Sequence, residues 1–190
     1  MQTMDDLTRM ALDTGFDAAQ KLDCSTIALY PDVRAACELN RCGRYGKSWS
    51  CPPGCGSLQE CEDRLRKYSS GLMVQTVRKL EDEFDSDGML ETARRHERNF
   101  RTLSERLWAD YPEMLPMGTG SCSYCDCCTY PDAPCRNPHG AAIPMEAYGM
   151  MVHEICRSNA MEYYHGKGTI TFTACFLLEH VKINIRATKE

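Results

Sequence analysis

The closing segment Thr169-Ile-Thr-Phe-Thr-Ala-Cys-Phe-Leu-Leu178 is the part of the chain that best defines the fold. Its β-branched and aromatic residues favour a strand. Its second half, from Ala174 to Leu178, is apolar at every position. A strand that is apolar on both faces is typical of the centre of a covered sheet. The sequence therefore predicts a central strand over 169–178.

Further strands and helices are predicted upstream of this segment. Strand-like runs occupy 71–77 and 114–118, with one or two shorter runs between Phe16 and Leu29. Helical patterns alternate with them and cover 4–14, 57–68, 87–109 and 145–159. Strands that alternate with helices predict an α/β fold, in which a small mixed sheet is covered by helices. We expect residues 1–190 to form one domain, because a chain of this length can bury one core.

The helix predicted from Asp87 to about Ala109 is the longest. Its apolar stripe consists of Leu90, Ala93, Phe100, Leu103, Leu107 and Trp108. Glu91 with Arg95, and Glu97 with Arg101, are expected to form i,i+4 ion pairs on the outer face. His96 lies among arginines and is assigned to the same exposed face.

Composition limits the partners and the compartment. The formal net charge of −5 gives no support for nucleic-acid binding. No apolar run approaches the roughly 20 residues that cross a bilayer, and the amino terminus lacks the pattern of a signal peptide. The sequence thus predicts a cytoplasmic protein that binds neither nucleic acid nor membrane. Its oligomeric state is left open.

Ten of the thirteen cysteines fall into two groups, at 37–61 and 122–135. In a reducing compartment, clustered thiols are more often metal ligands than disulfide partners. We call residues 37–61 the first lobe and residues 122–138 the second lobe. Both are expected as insertions between strands and helices, close together at one end of the sheet. Cys24, Cys156 and Cys175 stand alone and are interpreted as core residues.

The second lobe carries the C-x2-C-x2-C spacing of ferredoxins, followed by one more cysteine. A loop of this kind wraps its thiolates around one compact inorganic core. We assign as ligands of a [4Fe–4S] cluster Cys122, Cys125, Cys128 and Cys135. Cys127 is left out because it breaks the spacing. Arg136 is expected to offset the negative charge of the cluster. A zinc knuckle built from four of these five thiols is the alternative.

The spacing of the first lobe, C-x4-C-x8-C-x3-C, matches no ferredoxin signature. Its predicted ligands are Cys37, Cys42, Cys51 and Cys55, and Cys61 competes with Cys55 for the fourth position. A second [4Fe–4S] cluster and a zinc ion are equally compatible with this set. Tyr45 and Trp49 are expected to exclude water from the metal, although simple packing of the loop would also account for them. His139, which follows the second lobe, is interpreted as a solvent-exposed turn residue.

Three motifs together resemble those of a known family. They are Cys37-x4-Cys42-x2-Tyr45-Gly46-x2-Trp49-Ser-Cys51-Pro-Pro, Cys122-x2-Cys125-x2-Cys128-Thr-Tyr-Pro-x2-Pro-Cys135-Arg-x-Pro, and Met145-Glu-Ala-Tyr-Gly149. The family comprises bacterial and archaeal proteins of unknown function that are described as predicted metal-binding proteins. The resemblance runs through most of the chain. It implies metal binding with these thiols as ligands, and it implies no particular activity.

Three functions are compatible with these observations. The first is a cytosolic protein with one or two [4Fe–4S] clusters that transfers electrons to or from a redox partner protein, or serves as a redox accessory protein. The second is a zinc-binding structural or interaction module, in which the metal replaces core that such loops cannot build. The third is an enzyme whose cluster keeps an open iron site as a Lewis acid. No catalytic residues are assigned, and whether the protein is an enzyme is left open.

Overall fold

The computed structural model describes residues 2–138 and 140–179. They contain a five-stranded sheet with the strand order β1-β2-β5-β3-β4. The strands are β1 (Ala18–Asp23), β2 (Ser70–Lys79), β3 (Leu115–Gly118), β4 (Ile143–Pro144) and β5 (Thr169–Leu178). Because β3 and β4 run parallel while the other neighbours are antiparallel, the sheet is mixed. The predicted α/β class is confirmed.

Strand β5 occupies the centre of the sheet, as its apolar second half predicts. It pairs with β2 over its whole length, from Thr169 opposite Lys79 to Leu178 opposite Ser70. On its other side it pairs with β3. The side chains of β5 from Thr173 onward are all buried.

The two faces of the sheet are covered by different helices. On one face, Val74 and Phe176 pack with buried residues of the helices α1 (Met4–Thr14) and α4 (Ser86–Trp108). On the other face, Met73, Cys175 and Leu177 pack with buried residues of α3 (Leu58–Leu65) and α5 (Val152–Ser158). Successive strand residues point to opposite faces, so the central strands contribute to both apolar clusters.

The ends of the first and third helices follow from local sequence signals. Thr3 caps α1 in a capping box with Asp6, and Gly15 ends the helix in the left-handed conformation, at a φ of 107°. Ser57 and Glu60 form the equivalent capping box at the start of α3. A further short helix, α2 (Pro31–Ala36), was not expected from the sequence and begins with its proline.

The single helix predicted for 145–159 is wrong. The segment forms a 3₁₀ turn over Met145–Tyr148 and then, after a break, helix α5. Gly149 adopts a φ of 81° at the break, and a Cβ there would lie 2.9 Å from the carbonyl oxygen of Tyr30. Met150 forms a β-bridge with Leu29. The chain therefore leaves the helical path so that it can pair with an earlier segment.

The apolar stripe predicted for α4 is wrong at its start. Leu90 is 49% exposed, whereas the buried positions in this half of the helix are Gly88, Thr92 and His96. These residues lie four apart and share one face. From Phe100 onward the stripe is apolar as predicted, and it includes Leu103 and Leu107. The first half of the buried face thus carries small and polar residues, which a hydrophobic pattern does not detect.

One of the two predicted ion pairs is present. Glu97 pairs with Arg101 along α4. Arg95 instead pairs with Asp17, which precedes β1, and Glu91 pairs with Arg78 of β2. Helix α4 lies against the sheet, so charged groups at the strand ends compete with partners on the helix itself.

No helix in the described part of the chain is long and apolar enough to cross a membrane.

Paired truncations on α4 test the corrected orientation of this helix. We expect Leu103→Ala, at a fully buried position, to lower the free energy of unfolding by about 2–5 kcal/mol. The same change at the exposed Leu90 should cost about 0.5 kcal/mol or less. Urea denaturation of both variants measures the difference, and equal losses would contradict the burial described here.

Candidate metal centre

The sequence placed each lobe between a strand and a helix. In the structure the first lobe lies between α2 and α3, and Cys61 belongs to α3 itself. The second lobe lies between β3 and β4. The unexpected helix α2 accounts for the difference at the first lobe, because it occupies the segment directly before Cys37.

The two lobes are in contact, as the sequence predicted. The indole nitrogen of Trp49 donates a hydrogen bond to the carbonyl oxygen of Ala133, at 3.0 Å. The ring of Trp49 also meets that of Tyr130 edge to face, with centroids 4.9 Å apart. The backbone amide of Cys122 donates to the hydroxyl oxygen of Ser50, at 3.2 Å. Trp49 therefore joins the lobes directly, in addition to any role in excluding water.

A glycine permits this close approach. A Cβ at Gly54 would lie 2.4 Å from the carbonyl oxygen of Ser48 and 2.9 Å from the ring of Tyr130. Neither contact leaves room for a side chain, so residue 54 must be glycine for the first lobe to pack against the second.

The four predicted ligands of the second lobe surround one small cavity. Its wall includes Cys122, Cys125, Cys128 and Cys135, together with Ser48, Trp49 and Ser50 of the first lobe. Each of the four thiols is half-buried. Cys127 is exposed and does not line this cavity. The structure thus brings together the set chosen from the spacing and leaves Cys127 outside it.

Several donors approach the sulfur atoms of this set. The side-chain amide nitrogen of Asn137 lies 3.5 Å from the sulfur of Cys125. The backbone amides of Tyr124 and Ala142 hydrogen-bond to the sulfur of Cys122. Burial raises the pKa of the Cys122 thiol, and these amide bonds lower it. Donors directed at sulfur favour the thiolate, the form that binds metal.

Arg136 lies beside the four predicted ligands and is held there by a bond to the backbone. Its guanidinium donates to the carbonyl oxygen of Cys127, at 2.8 Å, and the side chain lines the same cavity. Arg136 therefore ties the turn around Cys127 to the segment after Cys135. Its positive charge remains beside the four thiols.

The predicted thiols of the first lobe differ widely in exposure. Cys51 and Cys55 are buried, Cys37 is half-buried and Cys42 is exposed. Burial raises the pKa of Cys37, the nearby Arg34 lowers it, and the thiols of Cys51 and Cys42 raise it further. Cys42 and Cys51 are thus both close to Cys37. Half-buried Tyr45 is held by its backbone amide, which donates to the side chain of Asn40 at 3.0 Å.

Cys55 is paired with Cys61, the residue that competes with it in the sequence. The interaction between the two side chains raises the pKa of Cys55 and lowers that of Cys61. Each thiol donates to a carbonyl oxygen at 3.7 Å, Cys55 to that of Ala147 and Cys61 to that of Cys55. Arg34 of α2 lies against both sulfurs, at 3.5 Å from Cys55 and 3.7 Å from Cys61. Its guanidinium also donates to the carbonyl oxygens of Gly56 and Ala147.

No role for Arg34 is predicted from the sequence, although the sequence carries a signal for its position. Pro31 indicates the first turn of a helix, and a helix that starts there brings residue 34 close to the adjoining lobe. What could not be read from the pattern is the carbonyl pair that holds the guanidinium, since Gly56 and Ala147 are far apart along the chain.

No group of three His, Cys, Asp or Glu side chains in the described residues converges as ligands of one metal ion. His139 lies outside those residues. The isolated cysteines are thiols packed in or against the core: Cys156 and Cys175 are buried, and burial raises the pKa of half-buried Cys24 to about 12.

The exposed position predicted for His96 is wrong. The side chain is 4% exposed, and its Nδ1 lies 2.9 Å from the hydroxyl oxygen of Thr76 on β2. Phe16 and Phe172 pack against the imidazole ring. Burial lowers the pKa of His96 to about 4. The neighbouring arginines suggested exposure, yet the histidine falls on the buried face between Thr92 and Phe100.

The fold and the two adjoining thiol-rich lobes define a cysteine-rich α/β protein of the metal-binding class. More specifically, the chain belongs to the family described as predicted metal-binding protein (DUF2284), whose pattern matches residues 20–178. The match includes both lobes and strand β5. Searches of curated proteins and of solved structures returned no match.

The burial of His96 leads to a prediction about how the stability of the protein depends on pH. A pKa lowered to about 4 keeps the ring neutral when an unfolded histidine, with a pKa near 6.5, is already protonated. The histidine's contribution to stability is therefore complete above pH 6.5 and is lost as the pH falls toward 4. This loss should reach about 3 kcal/mol.

Nitrogen-detected NMR of the imidazole should show a neutral ring at pH 5.5. Urea denaturation should show that the wild type loses more of its free energy of unfolding between pH 6.5 and 4.5 than His96→Gln does, because only the wild type carries the buried imidazole. A ring that titrates between pH 6 and 7 would contradict the prediction.

Proposed function

We propose that the chain is a cytoplasmic iron–sulfur protein that carries one or two [4Fe–4S] clusters and exchanges electrons with a partner protein. Residues 1–190 would act as one domain. The net charge of −5 favours a protein partner over nucleic acid. The coarser property, metal binding, is what the family description gives.

The arrangement of the second lobe is the observation that carries this proposal. Three thiols at ferredoxin spacing and a fourth downstream line one cavity, and the fifth thiol of the lobe is excluded from it. The ligands would be Cys122, Cys125, Cys128 and Cys135. A cluster bound there would accept and release one electron at a time.

The surroundings of the cavity suit such a group. Asn137 and two backbone amides supply donors to sulfur, which stabilise thiolates and tune the reduction potential of a bound cluster. Trp49 and Ser50 close the cavity from the first lobe. Arg136 adds a positive charge to a site whose thiolates are negative.

The spacing along the chain favours a cluster over a single zinc ion in the second lobe. Three of the four thiols follow the C-x2-C-x2-C spacing of ferredoxins, whereas a zinc site usually takes its ligands as two separated pairs.

Zinc is a second candidate in the first lobe. The thiols of Cys55 and Cys61 adjoin the same nitrogen of Arg34, at 3.5 Å and 3.7 Å, so they are neighbours, as two zinc ligands must be. Cys51 lies near enough to Cys55 to raise the pKa of its thiol further. A structural zinc ion there would leave one cluster, in the second lobe, for electron transfer.

Metal analysis after anaerobic purification tests the proposal. We expect a brown protein with about four or about eight iron atoms per chain and an equal amount of acid-labile sulfide. Reduction should bleach the colour reversibly and produce an electron paramagnetic resonance signal. About four iron atoms with one zinc ion would assign zinc to the first lobe. A colourless protein that holds only zinc would contradict the proposal.

Alanine substitutions in the second lobe distinguish the cysteines that line the cavity from the one that does not. Cys125→Ala should lower the iron content by about four atoms per chain, and Cys128→Ala should do the same, because a cubane cluster needs its thiolates. Cys127→Ala removes an exposed thiol from the same loop and should leave the iron content unchanged. Equal losses from Cys127→Ala and Cys125→Ala would overturn the ligand assignment.

A further inference from the structure

A second cavity lies on the other side of Cys122, between helix α4 and the segment that follows β3. Its volume is about 190 Å³. Its wall includes His96, Glu97, Phe100 and Arg101 of α4, together with Tyr124 and Phe172. Cys122 lines this cavity as well as the one surrounded by the four thiols. We call it the α4 pocket.

The hydrogen bonds around His96 determine which ring nitrogen carries the proton. The hydroxyl of Thr119 donates its only hydrogen to the carbonyl oxygen of Thr173, at 2.7 Å. It can therefore only accept from Nε2 of His96, which lies 3.5 Å away. Nε2 thus carries the hydrogen, and Nδ1 accepts from Thr76. Since 3.5 Å is a long hydrogen bond, the Nε2 hydrogen retains capacity for a better acceptor.

Arg101 also retains unused donors. Its Nη2 contacts the carboxylate of Glu97 and the carbonyl and hydroxyl oxygens of Ser123. Every hydrogen bond that Arg101 makes to the described residues uses this one nitrogen, so Nη1 and Nε have no acceptor among them. The guanidinium carbon lies 4.7 Å from the ring centroid of Tyr124, which fixes the plane of the group.

Glu97 is held by protein donors through one of its two oxygens. Its Oε1 accepts from Arg101 and from the hydroxyl of Ser123, and the ion pair with Arg101 offsets its charge. The imidazole and the guanidinium therefore supply the unused donors of the α4 pocket, and Oε2 of Glu97 is an acceptor that no described residue is seen to use. The rings of Phe100 and Phe172 supply the main apolar part of the wall, beside the hydroxyl side chains of Thr119, Ser121 and Ser123. A pocket with apolar walls and a few convergent polar groups is typical of a small-molecule site.

We propose that the α4 pocket binds a small organic carboxylate with a compact apolar part. A water molecule takes up about 30 Å³ of liquid, so the volume accommodates a ligand of about six non-hydrogen atoms. The carboxylate would accept from Arg101 and from Nε2 of His96, and the apolar part would pack against the two phenylalanine rings. The proposal goes beyond metal binding and does not depend on which metal the lobes hold.

Isobutyrate and isobutyramide form a matched pair of probes, because both have six non-hydrogen atoms and the same shape while only isobutyrate is charged. Titration calorimetry with the purified, metal-loaded protein should show saturable binding of isobutyrate with a Kd of about 1 mM or tighter. Isobutyramide should bind at least about tenfold more weakly, because it loses the charge-assisted hydrogen bonds.

Two arginine substitutions on α4 distinguish binding in the pocket from a general effect of the charge on the helix. Arg101→Gln should weaken isobutyrate binding at least about tenfold and leave isobutyramide binding unchanged. Arg98→Gln makes the same change of charge at an exposed position outside the pocket and should have no effect. Ala93→Leu should block both probes by filling the pocket with Arg101 intact, which keeps the test valid if Arg101→Gln fails to fold.

Three results would overturn the proposal. The first is the absence of saturable isobutyrate binding at millimolar concentration, and the second is equal affinity for the acid and the amide. The third is an equal effect of Arg98→Gln and Arg101→Gln. Because binding is measured directly on the metal-loaded protein, none of these results depends on whether the protein transfers electrons.

Discussion

The antiparallel pairing of β2 with β5 is the constraint on which the other elements depend. Ten residue pairs hold these strands in register, from Ser70 opposite Leu178 to Lys79 opposite Thr169. Because successive side chains alternate between faces, a shift by one residue would move each side chain of the shifted strand into the opposite apolar cluster, where its shape does not fit. β5 also aligns β3, which ends at Gly118, four residues before Cys122. The pairing of the two central strands thus determines where the second lobe begins.

The lobes themselves have little core with which to hold their shape. Their contacts are a tryptophan hydrogen bond, one ring-to-ring contact and a backbone amide bonded to Ser50. The thiols that would bind metal are half-buried or buried, apart from Cys42. Free energy of metal binding would therefore add directly to the free energy of folding in this region. The close approach at Gly54 means that this stabilisation would not be confined to one lobe, since the first lobe forms part of the wall around the thiols of the second.

Regular, local signals made much of the fold predictable. The central position of β5 followed from its apolar run, and the ends of α1 and α3 followed from Gly15 and from the Ser57 capping box. The exclusion of Cys127 from the thiol cavity agrees with ferredoxin spacing, which is also local. The features that escaped prediction depend on distant partners. Gly149 breaks a helix because of Tyr30, and His96 is buried because β2 offers Thr76. Tyr30 and Thr76 lie too far along the chain from these residues to be recognised from the local sequence.

The two cavities share one wall, and this has a thermodynamic consequence. The segment from Thr119 to Tyr124 borders the α4 pocket, and Cys122 and Tyr124 also border the cavity of the four thiols. A metal group that orders Cys122 would restrict Tyr124 and, through its ring, Arg101. Binding in the α4 pocket would restrict the same groups from the other side. Coupling between two sites is reciprocal, so whatever metal loading does to carboxylate affinity, the carboxylate must do to metal affinity by the same factor. Two adjoining sites on so short a segment cannot be occupied independently unless that segment is already rigid in the absence of both ligands.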